Sequence, residues 1–247
     1  MKKITYIADI DQDVDDFLAV LYMQKSSMLK EVVFDPEPIS SEGIQRKTVL
    51  IKKGIKISES ISEETSVIFC GGALRNVLAF VKKHPIDLFV MNGGFAGCNV
   101  VDPVDELPKF KGKMSVRTYN FNLDVAATHE FLSLSENYVR KTVLVGKNVC
   151  HSFKNTVDCL WKDMNFGINF KIPEGKRTHD VLACHEGLAF LNDDGSQFCK
   201  YKQLYPFNDG LEGSYTKWGS TLSPTVYRKC FVAVGYKEKE NESKQII

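Results

Sequence analysis

Five aspartates crowd eight positions near the N-terminus: Asp9, Asp11, Asp13, Asp15 and Asp16. Carboxylates this close repel, and each pKa rises unless a cation neutralises the group. Oxygen-only donors at such density suit a hard divalent ion, Ca2+ or Mg2+. A helix N-terminus would use one or two acids to complement its dipole, not five. A calcium-binding EF-hand loop counted from Asp9 fails at two places. Its turn glycine would be Val14 and its bidentate glutamate Val20.

Three further clusters carry polar or glycine-rich chemistry. Met91-Asn92-Gly93-Gly94 ends a strand in glycines, which let backbone approach a ligand closely, and Asn99 follows. It lacks the Lys-Ser/Thr of a phosphate-binding loop and is no dinucleotide fingerprint, so a plain structural turn explains it equally well. Cys70-Gly71-Gly72-Ala73-Leu74-Arg75 is a second strand-to-helix turn, readable as a simple βα connection or as a carbonyl turned toward a metal. Arg177-Thr178-His179-Asp180 opens a helix, where an acid in the first turn is commonplace.

These groups need elements that bring them to one edge. Apolar β-rich runs recur at Ile4–Ile7, Glu31–Phe34, Ser66–Cys70, Asp87–Met91, Met114–Thr118 and Thr142–Val145. Helical patterns lie between most of them, at 12–25, 40–53, 73–83, 123–135 and 148–162, with a further helix from Thr178 through Leu191. The segment 163–177 reads as a loop, and 237–247 as a frayed tail. This alternation predicts an α/β fold with an open, mostly parallel Rossmann-like sheet and helices on both faces. A small C-terminal β element is expected from Phe198–Tyr205 and Thr225–Tyr236. Without a linker or internal repeat, residues 1–247 read as a single domain. The aspartates then sit at the carboxyl end of the first strand, where open α/β sheets bind ligands.

Bulk properties narrow the partners. The 247 residues are 43% hydrophobic and 26% charged, ordinary values for a globular protein with a sizeable core. Lys and Arg number 32 against 31 Asp and Glu, so the formal charge of +1 offers no broad basic field for nucleic acid. No apolar run approaches transmembrane length, and the run after Met1-Lys2-Lys3 is short for a signal peptide. Seven scattered cysteines without a CxxC pair suggest a reducing, cytoplasmic setting.

The order Asp9-x-Asp11-x-x-x-Asp15-Asp16, Met91-x-Gly93-Gly94, Asn99, Asn120-Phe-Asn-Leu-Asp124, then His179-Asp180 resembles the inosine/uridine-preferring nucleoside hydrolase family. The likeness spans residue 3 to about 190. It implies a Ca2+-dependent N-glycosidase of purine or pyrimidine salvage, acting as a dimer or tetramer on a small ribosyl substrate. It further implies Asp11 as metal ligand and catalytic base, with Asp16, Asp180 and the Arg75 carbonyl as further ligands. Asp15, Asn99, Asn120 and Met91 would hold the ribose, Asp9 would orient the loop, and His179 would protonate the leaving base.

The residue types suit that chemistry. An N-glycosidic bond breaks through an oxocarbenium-like sugar, as in O-glycoside hydrolysis. A carboxylate takes the water proton, and a histidine has a suitable pKa to protonate the base. The chain is shorter than typical members, its insertion between Asn99 and Asn120 is longer, and it departs from the family pattern at three further positions. No asparagine follows the second strand, no histidine precedes His84, and Thr118 stands where a sugar-binding glutamate is expected. A calcium-binding pseudoenzyme of the same fold is therefore an alternative. So is a dehalogenase-type phosphatase, with Asp9 as nucleophile, Asp11 as acid/base and Asp193-Asp194 as the distal acidic pair.

Overall fold

The computed structural model describes residues 3–11, 14–151, 176–207, 217–219 and 228–237. One eight-stranded sheet runs through it in the order β2-β1-β3-β4-β5-β8-β6-β7. The strands are β1 (Ile4–Ala8), β2 (Leu29–Phe34), β3 (Val67–Cys70), β4 (Ile86–Asn92), β5 (Val139–Val145), β6 (Cys199–Phe207), β7 (Lys217–Gly219) and β8 (Cys230–Tyr236). From β2 to β8 all neighbours pair parallel; β6 and β7 add an antiparallel edge. The expected architecture is present, including the small C-terminal β element.

Helices α1 (Asp15–Lys25), α2 (Ser41–Lys52), α3 (Arg75–Val81), α4 (Tyr119–Leu123), α5 (Val125–Ser133), α6 (Lys147–Cys150) and α7 (His179–Asn192) connect the strands. Their apolar residues fall into separate clusters because side chains alternate across the sheet. Ile7, Phe89 and Met91 face the cluster containing Val77 and Val81 of α3 and Phe131 of α5. Tyr6, Ala8, Leu88 and Val90 face the other side, with Phe17 of α1 and Val181 of α7. The first strand is buried along its whole length, as a central parallel strand should be.

Three local expectations need adjustment. The anticipated strand 114–118 is irregular apart from a bridge at Arg117, because β5 takes the place beside β4. The helix expected over 123–135 is broken at Asp124, whose extended backbone ends α4 and whose carboxylate caps α5 through the Ala127 amide. Of the helix expected over 148–162, Lys147–Cys150 is described; residues 152–175 and 238–247, which hold most of its remainder, of the loop reading and of the tail, lie outside the described residues.

Parallel pairing sets the site. The chain leaves β1 at Asp9, β3 at Gly71, β4 at Gly93 and β5 at Gly146, all along one edge. Strand order reverses at β1, with β2 on one side and β3 on the other, and such a switch point opens a crevice.

Candidate active site

The crevice is acidic at its floor. Asp15 and Asp16 occupy the first turn of α1, favoured there by the helix dipole, and both are buried. Asp180, in the first turn of α7, is buried as well. The two helices pack together over one sheet face, and the amide of His179 donates to Asp15 Oδ2 at 2.9 Å. The Asp15 and Asp180 carboxyls face each other closely enough that each disfavours the other's charge. Asn92, the last residue of β4, also bonds the Asp180 side chain.

Asp16 is held from two sides. The Tyr6 hydroxyl donates to Asp16 Oδ1 at 2.9 Å, and the Asp9 backbone amide bonds the same carboxyl. Gly71 leaves the space for it: a Cβ at that position would lie 1.9 Å from Asp16 Oδ1. Burial pushes the Asp16 and Asp180 carboxyls well above the ordinary carboxylate range, and repulsion from Asp15 pushes them further. Asp180 Oδ1 is buried with no hydrogen-bond partner. These acids fit a cation that would neutralise them, with Asp15, Asp16 and Asp180 as its natural holders. Among the described residues, however, no three His, Cys, Asp or Glu side chains already stand in a ligating arrangement.

Asp11 is turned elsewhere. Its Oδ1 accepts from the Ile39 amide at 3.1 Å, the Ser40 amide at 2.8 Å and the Ser40 hydroxyl at 2.6 Å. Ser40 is the N-cap of α2, so Asp11 ties the first loop to that helix. Those bonds, led by the Ser40 hydroxyl, hold the Asp11 carboxyl below its ordinary value and therefore ionised. Asp9 is 3% exposed, and its Oδ1 accepts from the Asp11 amide at 3.3 Å. That burial offers little access for a nucleophile, and Asp194 is engaged at an α7-end turn with the Ser196 amide.

A cavity of about 190 Å3 adjoins the acidic floor. Asn92, Gly93, Gly94, Thr118, Tyr119, Asn120, Lys147, Cys150, His151 and His179 line it. Asn120 donates to the Asn92 carbonyl at 2.9 Å, which ties α4 to the end of β4. His179 and Asn120 are thus brought together beside Asp15 and Asp180. The other expected residues stand apart from this lining. Met91 is fully buried in the apolar cluster, and Asn99 is exposed. Arg75, expected to offer its carbonyl, opens α3, and its exposed side chain pairs with Asp124 at 3.1 Å.

Sequence reading missed Asn92, Tyr119, Lys147, Cys150 and His151 as lining residues. Asn92 was visible inside the Met91–Gly94 turn. Nothing in the local sequence marks His151 or Lys147, which reach the cavity only because β5 lies beside β4.

No protein-family model matches the chain. An uncharacterized protein of Aquifex aeolicus (strain VF5) is 26% identical over 204 residues, 76% of this chain and 63% of that protein. The chain thus spans under two thirds of that relative's length. Among solved structures it is similar to a purine-preferring ribonucleoside hydrolase from Gardnerella vaginalis. The TM-score is 0.57 at 16% identity, with 96% of this chain and 94% of that one covered. The two share a fold.

Proposed function

We propose that this protein is a calcium-dependent N-ribohydrolase that cleaves the N-glycosidic bond of a nucleoside or related ribosyl compound. The observation that carries this reading is the His179 amide bond to Asp15, which seats His179 and Asp180 directly over the first aspartate motif. The fold shared with a ribonucleoside hydrolase supports it. Asp15, Asp16 and Asp180 would hold the cation. The chemistry such a cation supplies is neutralisation of those carboxylates and acidification of nearby water.

The remaining work falls to the chain. Asp11, which Ser40 holds ionised at the cap of α2, would take the proton of the attacking water once it turns from Ser40 toward the floor. Asn120 orients the sugar, fixed in turn by the Asn92 carbonyl. His179 faces the cavity and delivers a proton to the departing base nitrogen. Burial of the floor excludes competing water from the sugar.

The test is release of free ribose from a panel of nucleosides, with calcium and with chelator. Calcium-dependent ribose release supports the reading. Phosphate release from phosphomonoesters would instead support the phosphatase alternative. Calcium binding without turnover of any ribosyl compound would point to the pseudoenzyme.

A further inference from the structure

The cavity is electrically lopsided. His179, bonded to Asp15 through its amide, lines it, and so do Lys147 and His151, the latter in contact with Lys109 and Arg177. Lys147 lines the cavity and reaches the Arg117 carbonyl at 3.1 Å. Lys109, in a 3-10 turn (Pro108–Phe110), lies within hydrogen-bond reach of His151 Nδ1. The Arg177 guanidinium donates to the His151 carbonyl. Phe110 stands edge-on to the His151 ring at 5.8 Å, with the Lys109 ammonium 5.0 Å from the Phe110 centroid. The His151 ring in turn lies 5.0 Å from that of His179. One continuous path therefore joins the cations to the proposed proton donor.

These cations crowd one another. Lys147 and Arg177 both act to lower the pKa of Lys109, after its desolvation. Burial, then Lys109, Lys147 and Arg177, hold His151 down to about 4, so it is neutral near pH 7 and accepts the Lys109 proton. Among the described residues, none of the three forms an ion pair with a carboxylate, unlike Lys200, Lys202 or Arg75. Mutually repelling cations gathered at the cavity-lining Lys147 and His151 cost stability unless an anion neutralises them.

We propose that Lys109, Lys147 and Arg177 form a subsite for a phosphomonoester on the ribosyl substrate, making the preferred substrate a nucleoside 5′-monophosphate. This rests on the N-ribohydrolase reading of the same cavity. It matches the lining: sugar hydroxyls toward Asn120 and His179, and a phosphate dianion toward Lys147 and the cations on His151. In the reaction, water oxygen bonds to C1′ as the C1′–N bond breaks, and the base nitrogen gains a proton. The phosphate ester stays intact, so the products are the free base and ribose 5-phosphate.

Two measurements separate this proposal from the reading beneath it. Calorimetry compares ribose 5-phosphate, ribose and inorganic phosphate on the calcium-loaded protein. Ribose 5-phosphate should bind at least about tenfold more tightly than ribose, since its charge-assisted bonds are the stronger kind. Adding salt should narrow that gap. The preference should shrink in Lys109→Gln and nearly vanish in the double Lys109→Gln, Lys147→Gln variant, with circular dichroism confirming that both fold. Equal binding of the two sugars, or a preference that survives the double substitution, overturns the subsite. Inorganic phosphate binding as tightly as ribose 5-phosphate would overturn it too, marking a free-phosphate site.

Turnover of inosine 5′-monophosphate against inosine forms the second arm. Faster cleavage of the monophosphate supports the proposal. Cleavage of inosine alone, without a ribose 5-phosphate preference, removes the subsite and leaves the N-ribohydrolase reading standing. If neither is cleaved, that reading fails, while the calorimetry still decides whether the cations bind phosphomonoesters.

Discussion

The backbone amide of His179 donates to Asp15 Oδ2 at 2.9 Å, joining residues 164 positions apart. The bond fixes the first turn of α7 against the first turn of α1, so Asp180 meets Asp15 and Asp16 below the sheet edge. Two acid-bearing turns thereby share a buried floor that none of the aspartates would choose alone. That conflict between folding and electrostatics supplies the clearest tests.

Cation binding should reverse an unfavourable pH dependence. Asp16 and Asp180 have folded pKa values raised above the ordinary 3.8, so their contribution is fully present below 3.8 and is lost as pH rises through the raised values. In chelator, the melting temperature should therefore carry a component that falls as pH rises above that point. Calcium should raise it, more so at higher pH, by linkage. Asp16→Asn should reduce both the slope and the calcium shift. A calcium response unchanged in Asp16→Asn would take Asp16 out of the site.

Gly71→Ala should damage the floor. The new Cβ would lie 1.9 Å from Asp16 Oδ1 and force that carboxyl or the β3 turn to move. A loss of about 1–3 kcal/mol in urea unfolding is expected, as for other overpacked sites. The calcium-dependent rise in melting temperature should weaken in parallel. Wild-type stability in the variant would show that the turn yields freely.

Asp11 and His179 carry the catalytic claims. Asp11→Asn keeps an oxygen for the Ser40 and Ile39 donors but cannot take a proton. Turnover should drop by about 10²-fold or more. His179→Ala should slow nucleosides far more than p-nitrophenyl riboside, whose leaving group needs no acid. Equal losses on both substrates would assign His179 a packing role.

Glu31 offers a test remote from the site. Its carboxylate is buried and accepts from the Ser58 and Ser62 hydroxyls, the Ser62 amide and Lys56. Despite the opposing effect of burial, these donors lower its pKa from 4.5 to about 2. The stabilisation is present above 4.5 and is lost as pH falls toward 2. Glu31→Gln should cost about 1–3 kcal/mol near neutral pH, the range for disrupting a buried polar network. The gap to wild type should close on acidification through that window. A gap constant from pH 6 to 2 would mean that charge plays no part.

The sheet's core was legible from residue 4 onward, because buried parallel strands are continuous apolar runs and their helices carry a different period. The acidic turn after β1 was equally plain, since five carboxylates in eight positions have few neutral explanations. Tertiary structure decided which of them meet. Asp15 and Asp16 point inward because α1 begins at Asp15, whereas Asp11 precedes it and reaches the cap of α2. The irregular 114–118 segment was misread for a related reason: its apolar content matched a strand, but β5 holds the only place beside β4 on that side. His151 and Lys147 could not be assigned to the cavity in advance. Their position depends on strand order, a non-local choice made by packing both faces of the sheet, and local residue types carry no record of it.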